Sequence, residues 1–175
     1  TQTAQGACVI DYFNNSENAF DNLMFHLYAN AFSQQADGSV CKPSNEDKTY
    51  PNGKSYGGIE ISSIKIDGTQ VDFSLEGEAD MLLDVPLQTQ LFPDEKIKVE
   101  IDFSLTLPNA NHRFGYGENA VNFANFYPIA CVYEDGKGCM QAGYIYNGVR
   151  FFSEVSCYAV SVVLPATFLS CVRGA

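Results

Sequence analysis

The clearest pattern in the chain is a strict alternation of apolar and polar residues between positions 97 and 107. The apolar side chains occupy the odd positions, namely Ile97, Val99, Ile101, Phe103, Leu105 and Leu107. Successive side chains of a β-strand point to opposite faces, so this spacing predicts a strand with one buried and one solvated face. Strands of this kind are typical of antiparallel sheets.

Shorter stretches elsewhere show the same alternation. Their apolar positions are Cys8, Ile10 and Tyr12; Leu23, Phe25 and Leu27; Val71, Phe73 and Leu75; Met81, Leu83, Val85 and Leu87; and Tyr158, Val160, Val162 and Leu164. Proline cannot donate a ladder hydrogen bond, so we expect Pro86 on an edge or at the end of its strand. No long stretch has a helical period. The pattern therefore predicts an all-β fold, either a β-sandwich or a saddle-like antiparallel sheet.

Local turn signals divide the predicted strands. The isoleucines change phase between Ile61 and Ile64, which predicts a β-bulge at Ser62-Ser63. Asp67-Gly68 predicts a tight hairpin turn, because both residues tolerate positive φ. Further turns are predicted at Pro93-Asp94 and at Asp135-Gly136-Lys137-Gly138.

One segment, residues 33–58, does not fit the strand pattern. It is polar and contains several glycines and prolines. A loop of this length is either functional or a mobile insertion, and we favour the mobile insertion. The length of 175 residues is typical of one domain. We therefore treat residues 1–175 as a single β domain with a long loop or insertion at about 33–58.

Composition and charge exclude several partners. Apolar residues make up 46% of the chain, which is typical of a globular protein. The net charge is −11, and this argues against nucleic acid and against an anionic membrane surface as partners.

No apolar run approaches the roughly 18 residues of a membrane span. The chain begins at Thr1 without an initiator Met or a signal peptide, so we expect a processed or trimmed chain.

The cysteines do not have the spacing of a metal site. The six residues are Cys8, Cys41, Cys131, Cys139, Cys157 and Cys171. They form no C-x-x-C pair, and none lies near a histidine at zinc-finger spacing. Three of them, Cys8, Cys131 and Cys157, lie in apolar runs where a free cysteine behaves as a small hydrophobe. We favour mostly free thiols, and an even count leaves a disulfide framework open. Cys131 and Cys139 flank a glycine-rich turn and are the pair to test.

The candidate catalytic residues do not assemble into a motif. His26 alternates within a predicted strand and is expected to be a core or edge histidine, whereas His112 is expected in a surface loop. Neither belongs to an H-E-x-x-H zinc motif. The acidic pairs Glu46-Asp47 and Glu134-Asp135 are typical of solvated charge. Asn14-Asn15-Ser16 matches the N-x-S glycosylation tripeptide, which is a weak signal by itself.

Several short motifs follow one another in a characteristic order. They are Asn22–Phe32 (NLMFHLYANAF), Gly57–Ile61 (GGIEI), Arg113–Tyr116 (RFGY), Asn125–Ile129 (NFYPI) and Phe151–Val155 (FFSEV). This order resembles the N-terminal non-catalytic β domain of gluzincin zinc metallopeptidases of the aminopeptidase N and leukotriene hydrolase type, in their bacterial peptidase-like branch. The likeness covers most of the chain outside residues 33–56.

The resemblance implies a non-catalytic role for this chain. In that family the domain packs beside the catalytic domain of the same parent chain and helps to wall the substrate cleft. Peptide substrate would then meet this domain only at the cleft edge of the full-length protein. Zinc is expected only in the catalytic domain, which is missing from this chain. We therefore expect no catalytic residue, no metal ligand and no cofactor here.

One residue is a candidate for substrate binding by resemblance. In the family a polar residue of this domain, typically Gln, helps to hold the free amino end of the substrate. The matching stretch here, residues 122–127, contains no Gln, and Asn125 is the nearest chemical substitute. Nearby, Gly115–Asn119 (GYGEN) resembles the G-x-M-E-N exopeptidase motif of the catalytic domain, with Gly117 in place of Met. Its two glycines instead predict a loop.

An alternative function is an independent extracellular β-sandwich that binds protein or carbohydrate. The 13 Phe and 10 Tyr and the long loop at 33–58 agree with it. The family type favours a cell-surface or secreted location, and a cytoplasmic one stays open. Of the two hypotheses we favour the non-catalytic domain.

Overall fold

The computed structural model describes residues 2–36 and 40–141, and this part of the chain is all-β. Its strands are β1 (Gln2–Phe13), β2 (Phe20–His26), β3 (Gly58–Ile66), β4 (Thr69–Gln70), β5 (Ser74–Glu76), β6 (Leu82–Leu91), β7 (Lys96–Leu107), β8 (Phe114–Tyr116), β9 (Val121–Phe123), β10 (Ile129–Ala130), β11 (Tyr133–Glu134) and β12 (Gly138–Cys139). Helical structure within the described ranges consists of α1 (Glu46–Thr49) and the 3-10 turns Tyr28–Phe32, Pro43–Asn45 and Glu78–Asp80. The strand predicted at Tyr158–Leu164 and the motif Phe151–Val155 lie outside the described residues.

The strands form two four-stranded antiparallel sheets, with the orders β1-β7-β3-β4 and β10-β2-β6-β5. Two short ribbons, β8-β9 and β11-β12, accompany them. Residues from both sheets bury one common core, including Leu23, Phe25, Ile64, Leu83, Val85, Val99 and Ile101. The prediction of an all-β, sandwich-like antiparallel fold is confirmed.

The alternating stretch from 97 to 107 forms strand β7, as predicted. Five of its odd positions are buried: Val99, Ile101, Phe103, Leu105 and Leu107. The strand pairs with β1 from Gln2↔Leu107 to Phe13↔Lys96 and with β3 on its other side. Because β7 pairs with a strand on each side, it is an inner strand of its sheet, and its apolar face packs in the core.

The predicted bulge and hairpin turn are both present in β3. The register against β7 shifts between Ile61 and Ser63, so Ile59 and Ile64 both reach the core despite their opposite phase. Asp67 and Gly68 then connect β3 to β4 with φ of 48° and 82°. Positive φ at both central residues is the geometry of a tight hairpin turn.

One strand prediction needs correction. The stretch from Val71 to Leu75 is not one strand, because β4 ends at Gln70 and β5 begins at Ser74. Val71 is buried, but Leu75 is 41% exposed. Its alternation therefore does not mark one buried face.

Pro86 lies within β6 rather than at its end. It is opposite Asn22 of β2, whereas β5 pairs only with Leu82, Leu83 and Asp84. At Pro86 the strand is thus paired on one side among the described residues. This local edge explains how the proline is tolerated.

The described part of residues 33–58 contacts the rest of the fold at several points, and its mobility stays a prediction. Val40 and Tyr50 join the main core, and Thr49 at the end of α1 is buried. The Gly57 amide donates to the Phe32 carbonyl at 3.0 Å, and the Asn111 amide donates to the Thr49 carbonyl at 2.8 Å. The segment therefore supports the loop that follows β7.

Candidate functional site

A shallow cleft opens just beyond the end of β7, where residues 108–125 cross the 3-10 turn Tyr28–Phe32. It is lined by Tyr28, Ala29, Phe32, His112, Arg113, Phe114, Ala124 and Asn125. Its enclosed space is only about 10 Å³, which is room for about one water molecule. Aromatic rings form its floor, and polar side chains come from the loop.

Backbone hydrogen bonds hold the loop in shape. Tyr116 donates its amide to the Pro108 carbonyl at 2.9 Å and accepts from the Ala110 amide at 3.1 Å. The Ala124 amide donates to the Arg113 carbonyl at 3.0 Å, next to the pairing of β8 with β9. Residues 113 and 124 are therefore fixed side by side, on the wall of the cleft.

The stretch Gly115–Asn119 proves to be a hairpin and not an irregular loop. Gly115 lies in β8 with φ of 147°, where a Cβ would come 2.8 Å from the Ala110 carbonyl oxygen. The Gly117 amide donates to the Ala120 carbonyl at 2.9 Å and closes the turn. Glu118 is exposed at this turn and does not line the cleft. The prediction of a loop is thus corrected in part, to a strand followed by a turn.

His112 lies in a loop, as predicted, but its ring is half-buried. Its ring packs edge-on against Phe32, with the ring centroids 5.2 Å apart, and its carbonyl accepts a hydrogen bond from Asn122 Nδ2 at 3.0 Å. Nδ1 is buried and has no hydrogen-bond partner within residues 2–36 and 40–141. Burial, with the charge of Arg113 as a second cause, lowers the pKa of His112 below its ordinary value.

Arg113 and Asn125 complete the polar wall. Arg113 is exposed, and no ion pair of the described residues includes it. Asn125 has φ of 53°, a conformation that asparagine tolerates better than most residues. The structure thus places the substrate-binding candidate Asn125 in the cleft, together with two residues that we had not assigned to a site. Its contact with a substrate amino group stays a prediction.

The other histidine is a core residue, as predicted. His26 is 2% exposed and stacks on Tyr28, with ring centroids 4.8 Å apart and an interplanar angle of 13°. Burial lowers the pKa of His26, and a backbone hydrogen bond involving Met140 acts in the opposite direction. A neutral imidazole is the form that this environment favours.

The described cysteines are free thiols. Cys131 is buried with Met24 and Leu82, and Cys139 packs against this small cluster. Burial raises the pKa of Cys131 to about 12 and that of Cys8 to about 11. These thiols therefore act as small hydrophobes and are poor nucleophiles. The predicted turn at 135–138 joins β11 to β12, without a Cys131–Cys139 disulfide. Cys157 and Cys171 lie outside the described residues.

The described residues offer neither a metal-binding cluster nor a helix that could cross a membrane. They contain no group of three or more His, Cys, Asp or Glu side chains placed to hold a metal ion. Their helical segments are all too short or too polar to cross a membrane.

Comparison with known proteins found no matching family model, no matching curated protein and no matching solved structure. The cleft at the end of β7 brings His112, Arg113 and Asn125 together.

Proposed function

We propose that this chain is the non-catalytic N-terminal domain of a zinc aminopeptidase-like protein. In this role it packs on the catalytic domain of the same parent chain and helps to wall the substrate cleft. The observation that carries the proposal is spatial. Three of the motifs behind the family resemblance, Asn22–Phe32, Arg113–Tyr116 and Asn125–Ile129, contribute residues to one cleft, and a fourth, Gly57–Ile61, contacts the first of them.

The contacts between those motifs are direct. Asn30 of the first motif accepts a hydrogen bond from the Ile59 amide at 2.9 Å. Phe32 of the same motif packs edge-on against Phe114, with centroids 5.4 Å apart. The Arg113 carbonyl accepts a hydrogen bond from the Ala124 amide, and the next residue, Asn125, begins another motif on the cleft wall. A resemblance based on strand composition alone would not require these segments to converge.

An aromatic surface beside the cleft supports a packing role. Phe123 is 38% exposed, and its ring meets Phe126 at 5.5 Å. Phe126 in turn meets Tyr127 at 5.3 Å, nearly at right angles. We call these three residues the aromatic ladder. Only Phe123 is exposed, whereas Phe126 and Tyr127 are half-buried against the core. Aromatic side chains at a surface are enriched where proteins contact another protein unit.

The first test is of chemistry. The purified 175-residue chain should hydrolyse aminoacyl p-nitroanilides no faster than buffer, with or without added Zn²⁺. Metal-dependent hydrolysis that copurifies with the chain would overturn the proposal. The coding sequence downstream of Ala175 should also encode an H-E-x-x-H motif with a distant Glu, because zinc needs two histidines one helical turn apart.

The second test is of packing. A separately expressed catalytic domain from the same gene should bind the wild-type chain, and Phe123→Ser combined with Phe126→Ser should weaken binding at least tenfold. Phe13→Ser is the matched control, because Phe13 is 53% exposed and pairs with Lys96, at the far end of β7 from the cleft. Equal binding by the two variants would argue against the aromatic ladder as the contact.

An independent extracellular β-sandwich that binds protein or carbohydrate is the second candidate. The aromatic ladder favours it, since aromatic side chains are enriched at recognition surfaces. The same gene sequence separates the two hypotheses. Tandem copies of this domain, with no zinc motif, would favour the independent module.

A further inference from the structure

We propose that strand β1 pairs with β1 of a second copy of this chain, so that the two sheets continue as one. The partner surface is thus a sheet edge, and the partner is the same strand in antiparallel orientation. This inference goes beyond the proposed function and does not rest on it, because no residue of β1 lines the cleft.

The first argument is that β1 lies at the edge of its sheet in the described part of the chain. It pairs with β7 along its whole length, and no other described strand lies on its far side. Such an edge presents a row of amide and carbonyl groups that can pair with another chain, and proteins usually block it with proline, lysine or a bulge. β1 contains no proline, lysine or arginine, and its register against β7 has no shift. The usual protections of an edge are therefore missing from this strand.

The second argument is that the core is incompletely covered along β1. The apolar residues that face the core from this strand are only half-buried, namely Ala4, Cys8, Ile10 and Tyr12. Ile101, which lies opposite Cys8 on β7, is 1% exposed by contrast. On the outer face of β1, Val9 is 63% exposed and Phe13 is 53% exposed. A strand added at this edge would bury apolar surface on both faces of the sheet.

The third argument is the order of side-chain sizes, which selects an antiparallel pairing with its two-fold axis at Cys8. The first part of β1 carries small residues and the second part carries large ones. With this axis, the facing pairs are Val9 with Ala7 of the second copy, Ile10 with Gly6, Tyr12 with Ala4, and Phe13 with Thr3. Each large side chain therefore meets a small one. Both cores also stay on the same side of the joined sheet, because side chains alternate between its faces and the axis passes through a residue.

Charge is compatible with this register. The chain has a net charge of −11, but Asp11 is the one charged residue of β1. The axis at Cys8 places Asp11 opposite Gln5 of the second copy. Like charges directly opposite each other destabilise a ladder, and this pairing has none.

The first test is sedimentation equilibrium of the 175-residue chain. Its apparent mass should rise from that of one copy towards that of two copies between about 1 and 200 µM, as expected of a small interface. Ala7→Glu combined with Val9→Glu should raise the dimer Kd about tenfold, because like charges then face each other on both sides of the axis. Ala7→Lys combined with Val9→Glu should stay within about threefold of the wild-type Kd, because opposite charges then face each other.

A matched control separates the edge from the added charge. Gln70→Glu combined with Leu75→Glu adds the same two charges on β4 and β5, at exposed positions on other strands. This variant should dimerise within about threefold of the wild-type Kd, since it leaves β1 unchanged. Circular dichroism spectra that match the wild type confirm that each variant is folded.

The second test is a cross-link at the axis. Cys8 would lie opposite Cys8 of the second copy, with a Cα separation of about 4.5–5.5 Å, which is within disulfide range. Copper(II) phenanthroline, which takes two electrons from the thiols while their two protons go to solvent, should give a covalent dimer on a non-reducing gel. Cys8→Ser should abolish this dimer, whereas Cys41→Ser should not.

Three outcomes would overturn the proposal. The first is a chain that stays monomeric up to about 200 µM. The second is an equal loss of dimer in the variant with two added carboxylates on β1 and in the variant with one added carboxylate and one added ammonium group. The third is a covalent dimer that persists in Cys8→Ser, because the contact would then lie at another cysteine.

Discussion

At the scale of single residues, Asn14 is the clearest case of a buried polar side chain with a structural task. It is 0% exposed, and its Nδ2 donates to the carbonyls of Asn18 at 2.8 Å and Leu91 at 2.9 Å. Its Oδ1 accepts from the amide and the hydroxyl of Ser16. The amide therefore ties the β1–β2 loop to the end of β6. This asparagine also belongs to the N-x-S tripeptide, and in the folded chain its side chain is inaccessible to a glycan.

We predict that Asn14→Ala lowers the free energy of unfolding by about 2 kcal/mol, because buried carbonyl groups lose their donor. Asn15→Ala is the matched control, since Asn15 is exposed, and it should change stability by less than about 0.5 kcal/mol. Urea unfolding followed by circular dichroism measures both. Similar midpoints for the two variants would contradict a structural role for Asn14.

At the scale of elements, β7 organises the sandwich and the segment at 33–58 closes over its end. The junction is Gly57, which donates to Phe32 and lies against the backbone that leaves β7. A Cβ at Gly57 would come 2.3 Å from the Thr106 carbonyl oxygen and 2.5 Å from Pro108 Cδ. The close approach of two backbones, and not a special φ, demands glycine here.

Gly57→Ala should therefore cost about 3 kcal/mol or more of unfolding free energy, since backbone atoms must move apart. An added Cβ at Gly68 in the β3–β4 turn would meet no atom within 4 Å. Gly68→Ala should therefore lower the free energy of unfolding by only about 1 kcal/mol, because of the positive φ of 82°. Chemical denaturation of the two variants gives the comparison. A larger loss at Gly68 would show that the 33–58 segment does not pack against β7 in solution.

At the scale of the whole molecule, burial of titratable groups links the fold to pH. The pKa of His26 and that of His112 are both lowered in the folded chain, mainly by burial. A histidine whose pKa is lowered by folding binds more protons in the unfolded chain than in the folded chain. Each of these histidines therefore makes its full contribution to the free energy of unfolding above the unfolded pKa of about 6.5. That contribution is lost as the pH falls below this value towards the folded pKa.

We predict that the free energy of unfolding decreases as the pH falls from 7 to 5.5. His26→Phe keeps an aromatic ring against Tyr28 and should reduce this slope, and adding His112→Gln should reduce it further. Urea unfolding at several pH values measures the slope separately from absolute stability. An unchanged slope in the double variant would mean that neither histidine is held neutral.

The buried thiols make a second prediction at this scale. In the native chain at pH 8, N-ethylmaleimide should label Cys8 and Cys131 far more slowly than in urea, because burial raises both pKa values and limits access. Mass spectrometry of peptides resolves each cysteine. Labelling of Cys131 in urea only after addition of a reductant would show a disulfide and contradict the free thiol.

The features that the sequence by itself determined are those set by near neighbours. The alternation at 97–107 defined β7, the phase change at Ser62-Ser63 defined the bulge, and Asp67-Gly68 defined the turn. Each depends on the two-residue period of a strand or on the φ range of a few residues.

Only the tertiary structure decided how distant segments meet. It interrupted the strand expected at 71–75, joined Val40 and Tyr50 of the 33–58 segment to the core, and brought the loop residue His112 against Phe32, beside Arg113 and Asn125. Burial and ring contacts depend on residues that are distant in sequence, which no local pattern encodes. The candidate site is therefore a property of the fold, and the sequence singled out only Asn125 among its residues.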